Sequence, residues 1–164
     1  MCKAADVAKY ITNYCVENKY QINYYKTQKL AFLCNLFQLR KLGNLMITQD
    51  LLNWACGVAY ADVYRAFDDA GISTTDLIIT SGFDNFESDK MVTSYEKNII
   101  NIIIKQFGQL DIQELISLTN GTGITDEIEH LGTIPVDRIN SVAQKTDIFA
   151  EIDKITKEEL LRGY

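Results

Sequence analysis

The sequence YYKTQKLAFLCNLFQLRKLG, residues 24–43, contains the feature that decides the fold. Between residues 30 and 42, apolar side chains occupy too many positions to form a single stripe along a helix. A helix that is apolar almost all round is usually buried by neighbours on several sides, and polar residues interrupt this one too often for a membrane span. The basic pair Arg40 and Lys41 suits a helix C-terminus, and Gly43 suits a left-handed cap. We therefore predict a central, buried helix that ends at Gly43.

Length and composition favour one domain over residues 1–164. A chain of 164 residues can bury roughly two thirds of its unfolded surface. An apolar fraction of 47% and a charged fraction of 23% are ordinary for a globular protein, which argues against a disordered chain. The N-terminus lacks the segments of a signal peptide, and no apolar run is long enough to cross a bilayer. We therefore expect a cytoplasmic protein that does not bind membranes.

Charge is unevenly distributed along the chain. Residues 1–41 carry seven basic and two acidic side chains, a net charge of +5, and the rest carries −11 to reach the total of −6. Two interpretations are open: the two parts lie against each other and partly neutralise, or the surface is dipolar and steers a charged partner. The acidic total argues against general nucleic-acid binding, which needs many basic side chains to neutralise phosphates.

The remaining chain predicts further helices, six or seven in all with the central one. Apolar spacing and capping signals indicate them at residues 4–18, 59–70, 88–107 and 112–118, with two short helices near 135–144 and 147–154. A capping-box pattern at Thr156 and Glu159 predicts only a last turn of helix. Residues 44–54 fit either a short strand pair or a turn of helix, and residues 72–89 look like connecting structure. The predicted fold class is mostly α: a compact single-domain helical bundle around a central buried helix, with one small β-hairpin as an option.

No catalytic, cofactor or metal motif stands out. The absence of a Cys-x-x-Cys pair favours reduced thiols over a zinc site or a disulfide framework for the four cysteines, Cys2, Cys15, Cys34 and Cys56. His130 is the only histidine and lies in a polar stretch, where a surface position is more common than a catalytic one. We expect no enzyme activity, no cofactor and no bound metal.

Tyrosine is unusually frequent near the N-terminus. Five of the nine tyrosines lie in the first 25 residues, and Tyr60 and Tyr64 share a predicted helix. Such residues either pack at the edge of the core or form a protein-binding surface, where they give large area at low entropic cost. For Trp54 we expect a place in the core.

Five segments, in this order, resemble the Panacea antitoxin domain, the family of SocA-like antitoxins and GepA-like phage-associated proteins. They are DVAKYI at 6–11, INYYKTQKL at 22–30, WACGV at 54–58, DVYRAF at 62–67 and ELISLT at 114–119. The Lys-x-Gln-Lys-Leu element is fairly specific, and the others gain weight together. The chain departs from the family pattern at Val58 and Asp62, where proline is usual, and at Asn120, where histidine is usual. The Pro-Trp that tends to follow is also absent.

The resemblance implies a mostly helical binding protein. Family members bind a cognate toxin and neutralise it, and SocA-like members also present a toxin to a protease. The family-defining positions then form a predicted partner-binding patch, made of Lys26, Gln28, Lys29, Trp54, Tyr60 and Tyr64. Another interpretation is architectural, with Gln28 and Lys29 anchoring the first turn of the central helix to the Trp54 loop. The alternative function is a phage or mobile-element protein that inhibits a host defence or host factor by occluding its surface, the acidic part imitating phosphate.

Overall fold

Residues 3–162 are described by a computed structural model, so Cys2 lies outside the described residues. In this range the chain forms eight helices and one two-stranded hairpin. In chain order they are α1 (Ala4–Glu17), α2 (Tyr24–Leu42), β1 (Leu52–Trp54), β2 (Gly57–Ala59), α3 (Ala61–Asp69), α4 (Ser88–Met91), α5 (Ser94–Phe107), α6 (Ile112–Asn120), α7 (Val136–Lys145) and α8 (Lys157–Leu161). The prediction of a mostly helical fold with one small hairpin is confirmed.

Helix α2 is the centre of the bundle, as its apolar density predicts. It contacts α1, α3, α5, α6, α7 and β2, and its side chains are buried almost continuously from its first residue to Leu39. The Asn23 side chain accepts a hydrogen bond from the Lys26 backbone N–H at 2.8 Å and caps the start. Gly43, with φ of 81°, ends the helix in the left-handed conformation that glycine adopts without steric cost.

Polar side chains inside this helix connect it to the loops around it. Asn35 Oδ1 accepts from the backbone N–H groups of Met46 and Ile47 at 2.8 and 2.9 Å, and Asn35 Nδ2 donates to the Tyr60 hydroxyl at 3.0 Å. Buried polar groups need such partners, because an unpaired one costs about 1–3 kcal/mol. Gln38 Nε2 also donates to the Asn44 carbonyl at 3.4 Å, so two amide side chains of α2 hold the segment that follows it onto the helix.

The hairpin lies later in the chain than the expected strand pair. Strands β1 and β2 are antiparallel, with Trp54 opposite Gly57, and turn at Ala55 and Cys56. Residues 131–134 extend this small sheet, because the Asn53 backbone groups pair with residues 131 and 132 at 2.6 and 2.9 Å. Of the expected range 44–54, only the last three residues form a strand.

Two predicted helices are corrected by the structure. The helix expected over residues 88–107 is broken at an extended Val92, and α5 starts anew at a capping box in which Thr93 and Glu96 bond each other's backbone N–H groups. The stretch 147–154 forms a series of turns, with Phe149 packed on Phe37 at a ring-centroid distance of 5.0 Å. A smaller correction concerns α3, which begins after Tyr60 and not at residue 59.

The other expected helix boundaries are close to those observed. α1 and α7 agree within about two residues, and the Asp111–Glu114 capping box starts α6. Thr156 accepts from the Glu159 backbone N–H at 3.1 Å and starts α8. No helix in residues 3–162 combines the length and apolar character needed to cross a bilayer.

Charges at the end of α2 are neutralised by the later part of the chain. Arg40 makes two hydrogen bonds to the Asp153 carboxylate, at 2.9 and 2.7 Å, and also donates to the Ala143 carbonyl at 2.8 Å. Lys41 Nζ donates to the Asp153 carbonyl at 2.6 Å. These contacts favour the interpretation in which the basic and acidic parts pack against each other.

Candidate functional site

An aromatic cleft opens beside the hairpin, between the first half of α2 and α3. It encloses about 210 Å³ and is walled by Tyr24, Tyr25, Trp54 and Tyr64, with Lys29 among its lining residues. We call this feature the aromatic cleft. Four of the six residues of the predicted patch line it, namely Gln28, Lys29, Trp54 and Tyr64. The cleft adds Tyr24 and Tyr25, the first two residues of α2.

The aromatic walls are held in place by edge-to-face contacts. The Tyr64 ring lies 6.0 Å from Tyr24 and 6.4 Å from Trp54, between centroids, and Tyr24 lies 5.1 Å from Tyr25. Such pairs stabilise a fixed arrangement by about 0.5–1.5 kcal/mol each. Tyr64 remains 44% exposed and Tyr25 39% exposed, and Trp54 is half-buried. The cleft therefore exposes aromatic side chains whose positions are fixed by their contacts with each other. Trp54, for which a core position was expected, is only partly buried.

Gln28 fixes the start of α3 behind the cleft. Its Oε1 accepts from the Tyr60 backbone N–H at 2.9 Å, and its Nε2 donates to the Tyr60 carbonyl at 3.1 Å and to the Tyr24 hydroxyl at 2.9 Å. The amide thus satisfies both backbone groups of Tyr60, as a neighbouring strand would. Gln28 therefore anchors α2 to the start of α3, whereas the architectural interpretation places its partner in the Trp54 loop.

Lys29 fixes the hairpin in the same way. Its Nζ donates to the Cys56 carbonyl at 2.5 Å and to the Val58 carbonyl at 2.9 Å, and the side chain is only 2% exposed. Burial lowers the pKa of Lys29 to about 8, because the charged form loses its hydration; the Cys56 thiol acts weakly in the opposite direction. Lys29 is the one charged residue that lines the cleft within the described part of the chain.

Gly57 permits the close approach of the hairpin to α2. It has φ of 94°, and a Cβ at this position would lie 2.6 Å from Asn120 Oδ1 and 3.4 Å from Lys29 Nζ. A larger residue would have to displace the end of the exposed Asn120 side chain and would meet backbone strain at this positive φ. The glycine three residues after Trp54 is therefore explained mainly by its backbone conformation.

Lys26 lies outside the aromatic cleft. Its Nζ donates to the carbonyls of Gln21 and Gly108 at 2.6 and 2.9 Å, and burial lowers its pKa, opposed by Cys15 and the carboxylates of Asp111 and Glu114. It connects α2 to the end of α5 and lines a separate, larger groove of about 830 Å³, beside the exposed residues Leu77 and Ile78.

The predicted patch is therefore divided by the fold. Gln28, Lys29 and Tyr60 are buried, and the fully enclosed Tyr60 hydroxyl, whose pKa burial raises, cannot touch a partner in this conformation. Trp54 and Tyr64 are the members that reach the surface of the cleft. The sequence interpretation missed Tyr25, although Tyr25 precedes Lys29 by four residues and so shares its helix face.

The candidates for chemistry lie apart from the cleft, except for Cys56 on its rim. His130 is exposed in a turn, and Cys15 and Cys34 are buried free thiols. Burial raises the pKa of Cys15 to about 12 and that of Cys34 well above its ordinary value. Among residues 3–162 no group of three potential metal ligands occurs.

Comparisons of the chain with protein-family models, with curated proteins and with solved structures found no match. The likeness to the Panacea domain therefore rests on the quoted sequence segments alone.

Proposed function

We propose that this chain is an antitoxin-like protein-binding domain that neutralises a cognate toxin by direct contact through the aromatic cleft. The observation that carries the proposal is the exposed Trp54–Tyr64–Tyr25 surface. Tryptophan and tyrosine dominate the energetically important positions of protein interfaces, because they bury large areas and lose little rotamer freedom.

The frame behind this surface also supports a binding role. Gln28 and Lys29 hold the hairpin and the start of α3 through hydrogen bonds of 2.5–3.1 Å to backbone groups. A surface that is already ordered before binding loses less conformational entropy when a partner arrives. In the SocA-like variant of this proposal, the bound toxin is then presented to a protease.

The test combines capture with a growth assay. We expect the tagged wild-type chain to capture a protein that arrests growth when expressed alone and loses this effect when co-expressed with the chain. A Trp54→Ala/Tyr64→Ala variant should lose the protein, because it removes both exposed walls of the cleft. The matched control is Leu77→Ala, which removes a 79% exposed apolar side chain beside the other groove.

Two outcomes would overturn the proposal. If the double variant is folded and keeps every captured protein while Leu77→Ala loses one, the interface lies at the larger groove. If the captured protein does not arrest growth, the antitoxin-like role is wrong.

A second candidate function is favoured by exposed acidic side chains in the stretch from the end of α3 to α4. They are Asp68, Asp69, Asp76, Asp84, Glu87 and Asp89, of which Glu87 pairs with Lys90 and Asp89 with Lys97. A surface of this kind can occupy a basic site that normally holds nucleic acid. Under this proposal the chain inhibits a host factor, and capture should be lost above about 0.3 M salt, where surface charges are screened.

A further inference from the structure

The aromatic cleft contains a buried cation without a buried anion. The two carbonyls that Lys29 contacts take two of its three N–H groups, and no third hydrogen bond is made within the described residues. No aspartate or glutamate is found among the described residues that line the cleft. A buried ammonium group loses its hydration, and here it gains no ion pair in return. Binding of an anion beside Lys29 is therefore favoured.

We infer that the cleft binds the C-terminal residue of the partner protein, with Lys29 Nζ donating a hydrogen bond to the terminal carboxylate and the apolar side chain held between Trp54 and Tyr64. This inference rests on the proposed function and names the chemistry of the partner. Capture of a chain terminus is an established mode of peptide recognition.

The size and composition of the cleft favour a chain terminus over other anions. A volume of about 210 Å³ has room for roughly one residue, and a C-terminal residue brings a carboxylate and an apolar side chain together. A nucleic acid would need several cations along its backbone, and Lys29 is the one cation at this place in the described chain. An aspartate or glutamate within a chain is less suitable than a chain terminus. The chain segments on both sides of it would press against the walls of the cleft that enclose Lys29.

The single tryptophan makes the inference measurable. Trp54 is the only tryptophan in the chain, so its fluorescence reports on the cleft. The probes are acetyl-Gly-Gly-Ala-X peptides, in which X is leucine, isoleucine, valine or phenylalanine, each with a free carboxylate and as the C-terminal amide. We expect at least one carboxylate peptide to bind about tenfold or more tighter than its amide, as a charge-assisted hydrogen bond provides.

Lys26 supplies the matched control for Lys29. Both are buried lysines that donate to two backbone carbonyls, but only Lys29 lines the aromatic cleft. Lys29→Met should abolish the preference for the carboxylate peptide, and Lys26→Met should retain it. If Lys29→Met does not fold, the test is made on the wild-type protein by changing the pH. The preference for the carboxylate peptide should fall as the pH rises from 7 to 10, because Lys29 loses its proton. The affinity for the amide peptide should stay constant over the same range.

Two results would overturn the inference: equal binding of the carboxylate and amide peptides, or no response of Trp54 to any peptide at millimolar concentration. An amidated peptide with an internal glutamate that binds equally well would also overturn it. The two proposals can fail separately. If Trp54→Ala/Tyr64→Ala loses the captured partner but the wild-type chain binds carboxylate and amide peptides equally, this inference is refuted and the proposed function stands. A clear carboxylate preference with no partner lost would refute the proposed function alone.

Discussion

Removing the Lys29 ammonium should change how the stability of the protein depends on pH. Burial lowers the pKa of Lys29 from its ordinary 10.5 to about 8. Between these two values the unfolded chain binds the proton and the folded chain has released it, so the free energy of unfolding rises with pH. The neutral amine keeps two N–H groups, which is enough for the carbonyls of Cys56 and Val58.

The expected magnitude follows from the size of the shift. The unfolding free energy of wild type minus that of Lys29→Met should increase by about 2.5 kcal/mol from pH 7 to pH 10. For a chain of this size the same change equals a relative shift in Tm of about 5–10 °C. The raised pKa values of Cys15 and Cys34 oppose the trend above pH 9, but both proteins contain them, so they cancel in the difference.

The assay is urea denaturation of the two proteins at matched pH values, in the presence of reductant. A difference between the two curves that stays within about 0.5 kcal/mol over this range would refute the description of Lys29 as a buried, uncompensated cation. It would also remove the electrostatic basis for carboxylate recognition in the cleft.

Two further predictions concern the frame. Phe37→Ala should lower the unfolding free energy by about 3–5 kcal/mol, since the Phe37 ring is fully buried against Phe149; a loss under about 1 kcal/mol in urea titrations would contradict the central position of α2. Gly57→Ala should cost about 1–3 kcal/mol, because a residue with a Cβ is strained at its φ of 94°; unchanged stability together with unchanged Trp54 fluorescence would contradict this strain. Val136→Ala, at a 59% exposed position, serves as the control for both and should stay within about 0.5 kcal/mol of wild type.

The central helix could be predicted from the sequence because its signals are local and redundant. Apolar density, the basic pair and Gly43 all point to the same boundaries. The break before α5 was missed because apolar spacing continues through Val92, although Thr93-x-x-Glu96 is a helix start signal. The turns at 147–154 were missed because the burial of Phe149 against Phe37 and Phe107 depends on tertiary packing.

The cleft could be predicted only in part. Trp54 and Tyr64 were found through the resemblance, and their aromatic character alone makes them candidates for an interface. The burial of Lys26 and Lys29 is hidden from the sequence, because lysine is almost never buried. Their partners are backbone carbonyls, which belong to every residue and so leave no mark in the amino-acid pattern.

The hydrogen bonds from α2 to the hairpin separate two tasks within one small region. Replacing Gln28 or Lys29 leaves buried backbone groups without hydrogen-bond partners. The outer edges of Tyr25, Trp54 and Tyr64, by contrast, can change with little effect on folding. A lineage that acquires a new target could thus substitute the exposed aromatic residues and keep Gln28 and Lys29 unchanged. Partner choice and the integrity of the domain would then evolve at different positions, even though both are built onto the same two turns of helix.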